Sequence, residues 1–357
     1  MVYGNPKALL KDKGAMSKRV TSRPTIYDVA EAAGVSHQTV SRFIRGLGVR
    51  ESSRIRVEKA IEDLGYRRNL AAQALATSQS RRIGALTSEL IEIGPVRILQ
   101  GAAKEAREQG YFLDIIVIDP SDLASVREIV DQINHQDLAG LVVISPTDDV
   151  RDVLSQQALS IPHYFSDDID DSAGGDERSA AASTTFLALE HLSDLGHHSI
   201  ALVAASPRSI GTRNVVAAYE RWAYEHFTVP LPIVYGDWTA ASGYRLVNQL
   251  PWDQEFTAIV AGNDQMAIGI LAGLDSRGIR VPDDISLVGH DGLPEVEFLV
   301  PPLTTIEIDF EEGGRAACRT LLAIIEGTPP PKPKLTLQRL VPRASTAPPP
   351  KKTCHDH

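Results

Sequence analysis

The sequence predicts a small all-α head, residues 21–69, ahead of a larger α/β body. Three observations predict it. The first is a change of pattern: apolar residues recur at helical spacing up to Leu64, and from Arg82 onward short apolar runs alternate with amphipathic stretches. The second is charge. Residues 1–82 hold 16 Lys and Arg against 7 Asp and Glu, and the remainder hold 20 against 39, which gives the formal net charge of -10. The third is length: 357 residues leave room for two or three separate cores.

In the head, Thr25 can cap a helix over Ile26 to Ala33, with Asp28 near its positive end. Ile26, Val29, Ala30 and Ala33 share one face. Gly34 supplies a turn, Val35 plugs into the core, and Ser36 caps a second helix, about His37 to Ile44, with Val40 inward. A third helix follows, capped by Ser52 or Ser53, with Ile55, Ala60, Ile61 and Leu64 apolar and Gly65 at its end. Two helices joined by a short glycine turn form the arrangement that lays its second helix in a DNA major groove. On that helix His37, Gln38, Ser41 and Arg42 are the candidate reading residues, since Gln pairs with adenine and Arg with guanine. Thr39 can serve a base methyl or a phosphate. Arg50, Arg54, Arg56, Arg67 and Arg68 are candidate phosphate contacts, which position the head without reading sequence. A positive head on a negative body suits this use. A generic three-helix bundle shares the apolar spacing but not the charge, the short turn and the polar tip.

In the body, "IGALTSEL", "YFLDIIVID", "LAGLVVIS", "HSIALVAA", "TAIVAGND" and "ISLVGHD" read as short strands, with helical patterns between them. That alternation predicts parallel α/β units, and polar residues at strand ends, such as Asn263-Asp264 and His290-Asp291, fall where open sheets bind ligands. No Gly-x-Gly-x-x-Gly follows the first strand and no Walker-type lysine loop occurs, so nucleotide-dependent chemistry lacks its phosphate cradle. The Asp and His residues form no catalytic set, and the chain is expected not to be an enzyme. Adjacent His197 and His198 are poor joint metal ligands, and the terminal "CHDH" follows a Pro-rich tail; neither a metal nor a cofactor is expected. Cys318 and Cys354 make no disulfide framework. With no apolar run long enough for a signal peptide or a membrane span, the cytoplasm is the expected location.

The runs "TIYDVAEAAGVSHQTVSRFIRG" and "RIRVEKAIEDLGYRRNLAAQALATSQSRRIGAL", with "GDW", "NDQMA" and "PPLTTI" further on, resemble the LacI family of bacterial transcription repressors. The resemblance runs almost to residue 340. It implies a helix-turn-helix DNA-binding domain over 21–69, a hinge helix and linker over 70–81, and a two-lobed, periplasmic-binding-protein-like effector and dimerisation domain over 82–338. The remainder, 339–357, is expected to be a disordered tail. Asn69 would sit at the start of the hinge, and Leu75 matches a leucine that wedges into the minor groove. Lobe one would take 82–180 and 310–338, lobe two 181–309. The implied function is a repressor of sugar-utilisation genes, bound as a homodimer to a pseudopalindromic operator and released by a small sugar. By resemblance Trp238 stacks on the sugar, Asn263 and Asp291 bond its hydroxyls, and Phe310 walls the pocket.

Three positions depart from the family pattern. Val215 stands where relatives carry an arginine, two residues beyond Arg213. The first lobe's sugar-contacting aspartate falls on Ser183, and a pocket glutamine becomes Ile308. The effector stays open between another sugar, a less polar one and a weak response, as does the choice between induction and corepression. The proline density of "GTPPPKPKLTLQRLVPRASTAPPPKK" argues against the tetramerising coiled coil that the family also uses, and so for a dimer. The rival from another class is a cytosolic sugar-binding protein whose head no longer binds DNA.

Overall fold

Local signals start each element of the head. The computed structural model describes residues 24–67, 80–88, 90, 92–144, 146–166, 180–226, 232–252, 255–331 and 338–350. The chain divides into two units, Met1–Gln79 and Ser80–His357. In the first unit, α1 (Ile26–Ala33) opens on a capping box. The Thr25 N–H donates to Asp28 Oδ2 at 2.6 Å and the Asp28 N–H to Thr25 Oγ1 at 3.4 Å. The Thr25 N–H, together with the Thr25 hydroxyl donating to Asp28 Oδ2 at 2.8 Å, holds the Asp28 carboxyl below its usual range. Gly34, at φ 59°, takes the left-handed conformation that ends α1. Ser36 Oγ then accepts the Thr39 N–H at 3.2 Å and starts α2 (His37–Ile44). The third helix, α3 (Glu51–Leu64), begins before the expected serine caps; Arg50 precedes it and makes no side-chain cap bond. Ser52 and Ser53 fall in the first turn, because Glu51 already suits the helix's positive end. Val29, Ala30, Ala33, Val40, Val57 and Ala60 form the core. Ile55 and Leu64, expected to be apolar contacts, are 55% and 36% exposed; the inward face runs through Val57, Ala60 and Ile61. The expected hinge, with Asn69 and Leu75, lies outside the described residues except for its last two positions.

The second unit holds two sheets. β1 (Arg82–Thr87), β2 (Phe112–Val117), β3 (Gly140–Ile144) and β4 (His163–Phe165) form a parallel sheet in the order β2-β1-β3-β4. Its connecting helices are α4 (Ile93–Glu108), α5 (Leu123–His135) and α6 (Asp148–Gln156). The chain then builds α7 (Ala180–Asp194), β5 (Ile200–Ala204), α8 (Ile210–His226), β6 (Ile233–Tyr235), α9 (Ala240–Leu246) and β7 (Ala258–Ala261). It continues with α10 (Asp264–Ser276), β8 (Ser286–Asp291), β9 (Thr304–Ile308), α11 (Phe310–Glu326) and β10 (Gln338–Val341). The second sheet runs β10-β9-β8-β7-β5-β6, parallel except where β10 pairs antiparallel with β9. Every residue of β3, β5 and β7 is buried, as strands covered on both faces require.

The last crossovers tie the lobes together. After β9 the chain returns to lobe one, where Ala317, Cys318 and Leu321 of α11 join Ile83, Ala85 and Leu99 in one core. There α4 and α11 cross backbone to backbone. A Cβ on Gly101 would lie 1.9 Å from the Glu311 carbonyl oxygen, and one on Gly314 the same distance from that of Ile98. β10 then rejoins lobe two, so lobe one takes α11 but not the closing strand. The segment expected as a tail from 339 is instead fixed through 350. The Leu287 N–H donates to Ser345 O at 2.8 Å, Ser345 Oγ donates to Leu287 O at 2.6 Å, and buried His197 bridges Thr257 Oγ1 and Ala347 O. Proline bars a helix here but not an extended segment whose polar groups find partners. The "CHDH" terminus lies outside the described residues.

Candidate functional site

Each unit carries a candidate site. In the first, α2 turns Val40 into the core and leaves His37, Gln38 and Arg42 exposed, with Thr39 and Ser41 half-buried. Thr39 Oγ1 is 3.0 Å from Ser36 Oγ, which ties it to the cap. Arg42 Nη2 donates to Gly48 O at 3.1 Å. Arg54, expected at a phosphate, lies along its own helix between Glu51 and Glu58 at 2.5 and 2.6 Å. Sequence reasoning missed Tyr27, which is 65% exposed with its ring 5.3 Å from that of His37. Its signal was position: a large aromatic beside Ile26 that the buried face of α1 does not use.

In the second unit a cavity of about 500 Å³ opens between the lobes, at the C-terminal ends of both sheets. Trp238, Asn263, Asp291 and Phe310, singled out in the sequence, all line it. Trp238 and Asp291 have φ of 68° and 101°, a strained conformation for side chains of their size. Asn263 is buried and caps α10: its Oδ1 accepts the Met266 N–H at 2.8 Å, and its Nδ2 donates to Trp238 O at 3.1 Å. The Phe310 ring lies over Gly94, where a Cβ would sit 3.4 Å from it. Val215 and Ile308 line the cavity as the departures predicted, whereas Ser183 does not; Ser166, at the end of β4, does. Thr184, the next residue on α7, lines it as well, so the loose local match missed a lining position by one residue.

Burial dominates the electrostatics. It pushes Asp291 well above the usual carboxylate value, with Asp264 and Glu92 adding repulsion and Arg97 opposing them. Asp264, just behind, rises to about 7 through burial, although Thr305 Oγ1 donates to its Oδ1 at 2.7 Å and the Leu293 N–H to its Oδ2 at 2.8 Å. Arg213 does not reach the cavity; it pairs with Asp148 at 2.9 Å, and beside it Arg208 pairs with Asp149. Those pairs, with the Thr147–Ser209 bridge, fasten lobe one to lobe two at the cavity's edge. Among the described residues no cluster could hold a metal ion, and no helix is long and apolar enough to cross a membrane.

A helix-turn-helix head and a two-lobed body with a cavity between its lobes define a DNA-binding regulator of the periplasmic-binding-protein-like class. The chain belongs to the LacI family of bacterial regulatory proteins. The family's model matches residues 25–69, and a periplasmic binding protein-like domain model matches residues 189–346. The lactose operon repressor of Escherichia coli (strain K12) is 33% identical over 91% of this chain and 91% of its own. Among solved structures, the lac repressor dimer bound to operator and the anti-inducer ONPF superposes with a TM-score of 0.80 at 31% identity, covering 91% of this chain and 100% of that one. A complex of the transcriptional regulator CelR with cellobiose gives a TM-score of 0.62 at 25% identity, covering 90% and 100%.

Proposed function

We propose that this regulator is a repressor that holds a pseudopalindromic operator as a homodimer and releases it when a small neutral sugar fills the cavity. The observation that carries the reading is the convergence of strained Trp238 and Asp291 with Asn263 on one cavity. An aromatic plane, an amide and a carboxyl suit a polyol, whose hydroxyls need partners once buried. The protein acts by binding, not by catalysis, and works in the cytoplasm, where its operator is. Its reading residues are His37, Gln38, Ser41 and Arg42, with Tyr27 beside them. Thr39 and Arg54 contact the backbone, and Asn69 and Leu75 form the hinge. A second copy of the chain has apolar surface to cover: Phe112, Ile115 and Val117 stand out of edge strand β2, and Phe298 and Val300 are 78% and 91% exposed. Light scattering should give a dimer; a monomer or a DNA-independent tetramer would refute that assembly.

The functional test is a gel shift on the DNA flanking the gene at two salt concentrations, followed by thermal shift against mono- and disaccharides. Tight, sequence-specific retardation supports the repressor; equal binding to random DNA would leave a sugar-binding protein with an inactive head. Trp238→Ala and Asp291→Ala should each abolish the sugar's stabilisation. Unchanged stabilisation in both would refute the pocket assignment.

A further inference from the structure

The polar side chains that line the cavity divide by whether the fold already uses them. Asn263 caps α10, Ser121 donates to Asp119 Oδ1 at 2.6 Å, Asp237 accepts from the Thr239 hydroxyl, and Arg208 pairs with Asp149. Thr147 Oγ1 has no partner but is sealed inside the protein. Ser88, Asn214, Trp238 and Asp291 differ from these. Each is only half-buried, and its side chain makes no hydrogen bond with any described residue. None of their polar atoms is among those sealed inside the protein. Trp238 and Asp291 already belong to the sugar reading. Asn214 adds a second open amide-or-acid group, on a different element.

Its place on α8 aims it inward. That helix gives Ile210, Gly211, Asn214 and Val215 to the lining, an i, i+1, i+4, i+5 pattern that marks one helical face. Asn214 falls within that face, between Ile210 and Val215 around the helix. Thr212 is buried instead, and Arg213 turns away to Asp148. Asparagine is an unfavourable residue inside a helix, and this one gives the fold no side-chain bond in return. Val215 and Ile308, where the family pattern has an arginine and a glutamine, line the same cavity with hydrocarbon. The open amide therefore stands one position from the missing guanidinium.

We infer that Asn214 is a specificity residue for the effector, its amide bonding a ring hydroxyl of a neutral sugar from the α8 side of the cavity. This rests on the sugar reading of the cavity. An amide both donates and accepts, whereas a guanidinium only donates, so the exchange changes which hydroxyl is held and in which direction. A ligand lacking that hydroxyl leaves the amide unpaired once the cavity is filled, and the site rejects it.

The test uses the full-length protein with the sugar that most stabilises it in a panel of free hexoses, 6-deoxyhexoses and disaccharides, together with that sugar's monodeoxy analogues. Titration calorimetry on wild type, Asn214→Leu and Asn214→Ala reads the affinities. Leucine and alanine both suit a helix better than asparagine, so neither variant should melt below wild type in the absence of sugar. Each is expected to bind the sugar about 10-fold more weakly. One deoxy position should cost wild type about the same factor and cost the two variants nothing, the coupling that a direct bond requires. Wild-type affinity in Asn214→Ala would overturn the assignment, and would reduce any loss in Asn214→Leu to bulk. The same losses across all analogues in all three proteins would overturn it too, as would a lowered melting temperature in both variants without sugar, since the amide would then serve the fold. Each of these leaves the sugar reading intact. If no sugar stabilises wild type, the sugar reading fails and this inference falls with it.

Discussion

The exposed face of α2 and the walls of the cavity hold their side chains in opposite ways. His37, Gln38 and Arg42 stand on an eight-residue helix anchored by buried Val40, with Phe43 and Ile44 packed behind it. Nothing in the core depends on them. The cavity has no such separation. Asn263 both lines it and caps α10, while Asp264, the next residue, gathers the Thr305 hydroxyl and the Leu293 N–H. The first surface can change what it reads without changing how well the domain folds. The second can change its ligand only by altering groups that also hold β8, β9 and α10 together.

The sharpest way to break this comparison is Asp264→Ala. It strands a buried hydroxyl and a buried N–H and should cost the second unit about 3 kcal/mol. All three tryptophans, Trp222, Trp238 and Trp252, lie in that unit, so their fluorescence in urea follows it selectively; a loss below about 1 kcal/mol would show that the groups directly behind the cavity do not hold the unit together. Next comes Gln38→Ala, expected to weaken operator binding by about 2 kcal/mol in a titrated gel shift. Its folding stability should stay within about 0.5 kcal/mol of wild type; a larger change would erase the contrast.

The third is pH. The folded-state pKa of Asp264 is raised to about 7, so the folded protein binds a proton that the unfolded chain gives up near pH 3.8. That contribution is complete below pH 3.8 and is lost as pH rises through about 7. Asp291 shifts in the same direction. Urea stability of the second unit should therefore fall by about 1 kcal/mol from pH 6 to pH 8 through Asp264, and Asp264→Asn should flatten the slope. A slope unchanged in that variant would remove Asp264 from the linkage. The smallest effect belongs to the exposed pairs at the cavity's edge: Arg208→Ala should cost about 0.5 kcal/mol at low salt and nothing measurable at 1 M salt.

The same contrast explains what could be read from the sequence. The head was legible almost residue by residue because its signals are local: Thr25 with Asp28, Gly34, then Ser36 with Thr39 lie within fifteen positions. Its errors were local too, at Ser52, Ser53 and Ile55, where a helix start and a face were each misjudged. The alternation of the body gave its class, and strand-end residues such as Asn263 and Asp291 were visible as polar breaks in apolar runs. Ser345 and Ala347 were hidden by composition: proline content reads as disorder unless the partners on His197, Ser286 and Leu287 are known.

That closing segment has a consequence for how the chain is made. Lobe one needs α11, which ends at Glu326, and lobe two needs β10 and Ser345. Neither lobe can complete its core until nearly all of the chain has left the ribosome. The core of the head is complete by Tyr66, just past its third helix. Synthesis therefore releases a folded head hundreds of residues before the sensor that is meant to govern it.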